Sequence, residues 1–111
     1  MGAMRTSSGK DRRASVEGGP MKYVLFYESA DDVGAKAAPH FAAHRARWAE
    51  FQASGSLLMI GTFGSPQDEG SMAIFTSRDA AEEFARGDPF VVHGVVRRWY
   101  VREWNEALSE P

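Results

Sequence analysis

Ala38-Pro-His-Phe-Ala-Ala-His-Arg-Ala-Arg-Trp-Ala-Glu-Phe-Gln-Ala-Ser-Gly55 is the stretch whose reading decides the fold. Ala37, Phe41, His44, Trp48 and Phe51 recur at i, i+4, i+7, i+11 and i+14, which places them on one stripe of a 3.6-residue helix. The spacing predicts an amphipathic helix over roughly residues 39–54. Arg45, Arg47, Glu50 and Gln52 fall mostly off the stripe, toward water. Pro39 suits the first turn, where the amide proton it lacks would be unpaired anyway. Gly55 supplies the stop. His44 is the anomaly: a titratable ring among Phe41, Trp48 and Phe51 on the face that should be buried. A buried imidazole needs a hydrogen-bond partner or must lose its charge.

On either side of this helix the pattern changes to short apolar runs. Met21 to Tyr27 is too short for a helix and reads as a central strand. Glu28 to Ala38 is a connector, part of it helical. Ser56 to Phe63 and Ser71 to Thr76 are two further strands, joined by a turn segment at 64–70 with Pro66 and two glycines. Asp68 and Glu69 read as solvated turn residues. Ser77 is an N-cap candidate for a helix to Arg86, with Asp79 and Glu82 near its positive end. Asp88 must leave that helix, because a residue before proline avoids the helical region. A loop over 90–94 leads to a last strand, 95–104. One parity of that strand holds Val95, Trp99 and Val101; the other holds Val96, Arg98, Tyr100, Arg102 and Trp104. The order β-α-β-β-α-β gives an α+β, ferredoxin-like sandwich: a four-stranded antiparallel sheet with both helices on one face. Its other face is left bare and apolar, and a homodimer packed sheet to sheet is the simplest cover.

At 111 residues the chain is one domain with a modest core. It has no cysteine, so disulfides, thiolate metal sites and cysteine nucleophiles are excluded; this fits a reducing cytoplasm. No apolar run approaches the roughly 20 residues of a membrane span. Residues 1–20 hold Arg5, Lys10, Arg12 and Arg13 against Asp11 and Glu17, a net of +2. Residues 21–111 therefore carry −4 of the total of −2. A mildly acidic domain argues against nucleic acid as a partner. Residues 1–20 have almost no large apolar side chains and read as a disordered tail, its opening Met1-Gly-Ala-Met4 resembling an expression scar. The domain proper is read as 21–108.

In this order the features resemble the YCII-related family of the dimeric α+β barrel superfamily. They are Met21-Lys-Tyr-Val-Leu-Phe26, His44, then Gly55, Leu57, Leu58 and Gly61, then Glu69-Gly-Ser-Met72, Ala80-Ala-Glu-Glu-Phe84, Asp88-Pro-Phe-Val91 with Gly94, and the aromatic strand to Trp104. The resemblance covers roughly residues 21–105. It implies a pocket in which a histidine and an aspartate form a dyad, here His44 and Asp88, and a chemistry that in some relatives is dehydrochlorination of chlorinated hydroxyquinones. The chain departs from the pattern at Phe41, where arginine is common, and at Thr62, where proline is.

The residues alone leave two readings open. A carboxylate accepting from one imidazole nitrogen fixes the tautomer and makes the other nitrogen a general base or acid, with no cofactor or metal required. Equally, Asp88 caps its own downstream loop while His44 is a satisfied core residue. His40, one turn before His44, and Trp48, Gly61, Phe90 and His93 are the further candidates for contact with a small-molecule ligand. His40 and His44 are spaced as metal ligands, but no third ligand is evident. The aromatic residues, Trp99 and Trp104 included, read mainly as core and dimer interface. No nucleophile elbow or phosphate-binding glycine loop is present. The expected function is therefore proton-transfer chemistry, elimination or isomerisation, on a small aromatic or phenolic molecule. The alternative is a non-catalytic ligand-binding or dimeric interaction module.

Overall fold

The computed structural model describes residues 21–108; the expected tail over 1–20 lies outside them. Strands β1 (Met21–Ser29), β2 (Leu57–Thr62), β3 (Ser71–Phe75) and β4 (Val96–Asn105) form one sheet in the order β2-β3-β1-β4. Every neighbouring pair is antiparallel. Two main helices, α2 (Phe41–Ala53) and α4 (Arg78–Gly87), lie on one face, as a ferredoxin-like α+β fold requires.

Alternation along the strands decides which side chains meet the helices. Leu25 and Tyr27 of β1, Ala73 and Phe75 of β3 and Leu57 of β2 turn inward. There they pack with Ala81, Phe84 and Ala85 of α4. Phe51 of α2 stands edge-on to both Phe75 and Phe84, at ring distances of 6.3 and 5.2 Å. The opposite parity faces away from the helices. It carries Phe26 stacked on Tyr100 at 5.3 Å, with Met72 and Trp104 alongside.

Several boundaries differ from the sequence reading, each for a local reason. The helix expected over 39–54 is divided. A short helix α1 (Val33–Ala37) and a 3₁₀ turn (Ala38–His40) precede α2. Pro39 has no amide proton, so the helical ladder does not run unbroken through it. The turn at 64–70 contains a helical turn, α3 (Pro66–Glu69). Its Glu69 carboxylate accepts from the Ser65 amide at 2.9 Å, and Asp68 accepts from the Ser65 hydroxyl at 3.2 Å. Both acids are exposed, as solvated turn residues should be, and they also tie down the start of this turn. The loop expected at 90–94 holds another helical turn, α5 (Pro89–Val92). Gly70 closes the β2–β3 connection at φ 76, and a side chain there would strike the Tyr27 carbonyl.

Two irregularities reset strand parity. The register between β1 and β4 passes from Glu28↔Arg98 to Ser29↔Val96, so Arg97 is an extra residue. Val96 thereby returns to the helix side and packs on the core, against the simple alternation expected for it. Both Arg97 and Arg98 reach the Glu28 carboxylate, at 3.3 and 3.0 Å. In β2, Leu58 is the extra residue between Leu57↔Phe75 and Met59↔Ile74.

Candidate functional site

Helix α4 ends at Gly87, and Asp88 takes extended backbone at φ −68, ψ 125, as the following Pro89 demands. This corner turns the Asp88 carboxylate into the core, where it is wholly buried. There it accepts three hydrogen bonds. His44 Nδ1 lies 2.7 Å from Oδ1, the Tyr27 hydroxyl donates to Oδ2 at 2.6 Å, and the Phe90 amide donates to Oδ1 at 3.1 Å. An ionised carboxylate only accepts, so the proton of the pair belongs on His44 Nδ1 and the lone pair of the neutral ring on Nε2. Asp88 both caps α5 and holds the histidine; the two roles left open by the sequence coincide.

His44 is the one buried residue of α2. Its ring is stacked on Phe90 at 3.8 Å and 11°, and Trp48 stands edge-on to it at 5.1 Å. Phe41 does not share this burial and is 44% exposed. The expected apolar stripe is thus divided: Phe51 packs in the core, while Phe41, His44 and Trp48 form one wall of a cavity. Arg47, read as facing water, instead donates to the Phe84 carbonyl at 3.1 Å and the Glu83 carbonyl at 2.8 Å, and its guanidinium lies over the Phe51 and Phe84 rings. It occupies the space a side chain at Gly87 would need. Arg47 therefore ties α2 to the C-terminal part of α4, close to Asp88, through two of its backbone carbonyls.

The cavity, about 560 Å³ in volume, lies between α2 and the edge strand β2. Its walls are mainly apolar. His44, Tyr27, Gln52, Thr62 and Ser71 supply the side-chain polar groups, and no lysine or arginine lines it. Of the candidates from sequence, His44, Trp48, Gly61 and Phe90 border this space, and Asp88 lies behind His44. His40 and His93 do not border it. They stack on each other at 4.1 Å and 2°, an arrangement in which two rings share faces rather than converge on an ion. Sequence reasoning took Tyr27 with the other aromatic residues, mainly as core and dimer interface. The signal for more was its place two residues beyond Leu25 on the buried parity: a hydroxyl there needs a partner.

Burial, reinforced by the neighbouring Asp88 charge, holds the Tyr27 phenol far above its ordinary range. In the unfolded chain the same phenol ionises near its usual value of about 10. The folded state therefore keeps a proton that the unfolded state releases, so this contribution is complete below pH 10 and is lost as pH rises beyond it. Unfolding free energy is expected to fall by up to about 1.4 kcal/mol per pH unit above 10 on this account. Urea unfolding at pH 9, 10 and 11 measures it, and a Tyr27→Phe protein should lack that part of the slope.

A family model described as a YCII-related domain matches residues 21–105. Among solved structures, the chain is similar to the 5-chloro-2-hydroxyhydroquinone dehydrochlorinase of Burkholderia phenoliruptrix AC1100, in complex with 2,5-dihydroxybenzoquinone. The two are 20% identical with a TM-score of 0.62, over 81% of this chain and 99% of that one. A mutant of MhuD with two manganese protoporphyrin IX molecules per active site aligns at 16% identity and a TM-score of 0.48, over 83% of this chain and 99% of that one. The dehydrochlorinase shares the α+β fold found here. No curated protein matches the chain. Among the described residues no helix is long and apolar enough to cross a membrane.

Proposed function

The chain belongs to the YCII-related family, and from that premise we propose that it is a cytoplasmic enzyme moving a proton on a small, neutral, hydroxylated ring. The observation that carries this reading is a histidine whose Nδ1 is fixed by a buried carboxylate and whose ring borders an apolar cavity. Nε2 is then the reacting nitrogen. In an elimination one hydroxyl proton is first moved to the ring carbon that bears the leaving group, giving a keto tautomer with that carbon tetrahedral. Nε2 then accepts the proton of a second ring hydroxyl; the O–H pair forms a carbonyl, the ring double bond shifts, and the leaving group departs with its bonding pair. In an isomerisation the same nitrogen removes a proton from one position and returns it to another. Asp88 orients the ring and offsets the imidazolium charge while the proton resides there.

The cavity selects among such molecules. Its walls offer flat aromatic faces, from Trp48 and Phe90 among others, and no cation. A carboxylate or phosphate would enter without a counter-charge, and an unpaired charge in an apolar site is costly. The reading therefore favours uncharged hydroquinones and hydroxyquinones over carboxylated rings. The name of the dehydrochlorinase relative, and its complex with a dihydroxybenzoquinone, lend this class of ring further support.

The bare sheet face, with Phe26, Met72, Tyr100 and Trp104, supports pairing with a second copy; a monomeric mass by light scattering would remove that part of the reading. The central test is a panel of neutral and carboxylated hydroxyquinones, halogenated and not. It is scored first by thermal shift, since a ligand of the folded state raises its stability, and then for consumption and halide release. Neutral rings are expected to stabilise and to turn over. Stabilisation without turnover of any member would favour a ligand-binding module in place of an enzyme.

A further inference from the structure

We infer that Tyr27 is a positioning residue of the pair: its donated hydrogen bond sets the direction and charge of the Asp88 carboxylate, and through Asp88 it sets how tightly His44 Nδ1–H is held. This rests on the proton-transfer reading above, which it extends to a residue on a different strand.

The geometry is specific. Asp88 has two oxygens with separate duties. Oδ1 takes His44 Nδ1 at 2.7 Å and the Phe90 amide at 3.1 Å, while Oδ2 takes the Tyr27 hydroxyl at 2.6 Å. A carboxylate with only the first two contacts would be held through one oxygen and could still pivot about it. Anchoring Oδ2 removes that freedom and leaves Oδ1 aimed at the imidazole. The short O–H···O⁻ bond also draws negative charge onto Oδ2, so less is available to Oδ1. All three side chains are nine-tenths buried or more, so the bonds among them are little screened by bulk solvent. Because the Tyr27 phenol resists ionisation, it remains a donor across the working pH range. Besides His44 itself, the charged and titratable groups at the network come from β1, α2 and the α4–α5 corner. They are Asp88 at the α4–α5 corner, Tyr27 on β1 and Arg47 on α2, the last acting on Tyr27 through space. His40 and His93 stack with each other instead.

The test reads the imidazole directly and needs no substrate. The Nδ1–H proton of His44 is observed by NMR in ¹⁵N-histidine-labelled protein, where a stronger bond to Asp88 moves it downfield. Tyr27→Phe should move it downfield, because Oδ1 regains charge. Uniform 3-fluorotyrosine, a stronger donor of nearly the same shape, should move it upfield; the only other tyrosines are Tyr23 and Tyr100, neither of them bonded to Asp88. In an Asp88→Asn background the tyrosine exchange should leave His44 unmoved. An unshifted resonance with fluorotyrosine, or an effect that persists without the Asp88 carboxylate, overturns the inference. The fluorinated protein carries the test by itself if Tyr27→Phe does not fold. Loss of the proton-transfer reading would register elsewhere, as turnover surviving His44→Ala, and would leave these shifts unchanged.

Discussion

Turnover of a neutral hydroxyquinone falls about 10²–10⁴-fold in His44→Ala, the range general acid–base groups supply, while the fold is retained. The loss should lie in kcat more than in KM, because an apolar cavity still receives the ring. The His44 ring is stacked on Phe90 beside a cavity and meets Phe84 edge-on at 6.3 Å, at the border of the Phe51, Phe75 and Phe84 cluster. Removing it enlarges a space that already exists, at a cost of about 2–4 kcal/mol for lost stacking and one abandoned acceptor. Steady-state kinetics and urea unfolding of the same preparation check both halves. Undiminished turnover in a folded variant would leave the imidazole without a chemical role.

Asp88→Ala is expected to fail in the opposite sense, through stability. Its removal strands the Tyr27 hydroxyl, the His44 Nδ1–H and the Phe90 amide, all three donors bonded to this one carboxylate. Breaking a buried polar cluster from one side costs about 3–5 kcal/mol, a large share of the 5–15 kcal/mol that holds most domains together. Asp88→Asn keeps the shape and one acceptor, so about 1–3 kcal/mol is expected. Its oxygen can still accept from His44 Nδ1–H and the Phe90 amide while its NH2 donates to the Tyr27 hydroxyl, but the charge that offsets an imidazolium is gone. The Asn variant should therefore fold and lose turnover by a factor approaching that of His44→Ala. Denaturant midpoints for Ala and Asn, set beside kcat for Asn, separate the two duties of this residue. Equal stabilities of Ala and Asn would contradict the account.

How much of this was legible in the chain differs element by element. The strands announced themselves because β-branched and aromatic residues cluster between turn residues, and α4 because Ser77 and Gly87 bracket it. The hydroxyl of Ser77 accepts from the Ala80 amide at 3.1 Å, as a cap should. α5 was missed, although Asp88 followed by Pro89 is a cap and a first-turn residue in the proper order; four residues are too few for periodicity to register. His44 stood out as a polar ring in apolar company. Its partner, 44 positions away, was named by family resemblance and not by pattern, since spacing along a chain carries no record of which distant groups meet. Tyr27 and Arg47 were read by their bulk and charge. What they do depends on a hydroxyl and a guanidinium finding acceptors across the fold. The extra residues at Leu58 and Arg97 left no trace at all, because a bulge is a relation between two strands.

Those two extra residues have a consequence for how copies of the chain meet. β2 and β4 are the outermost strands, and an outermost strand presents unpaired amides and carbonyls that invite another molecule to continue the ladder. Each is interrupted, β2 at Leu58 and β4 at Arg97, and β4 adds the charges of Arg97 and Arg98 beside the break. An incoming strand would lose register within a few residues and meet cations on one flank. Growth into ribbons is thereby discouraged at both borders, which lets the protein keep a wide greasy surface without that surface seeding fibres.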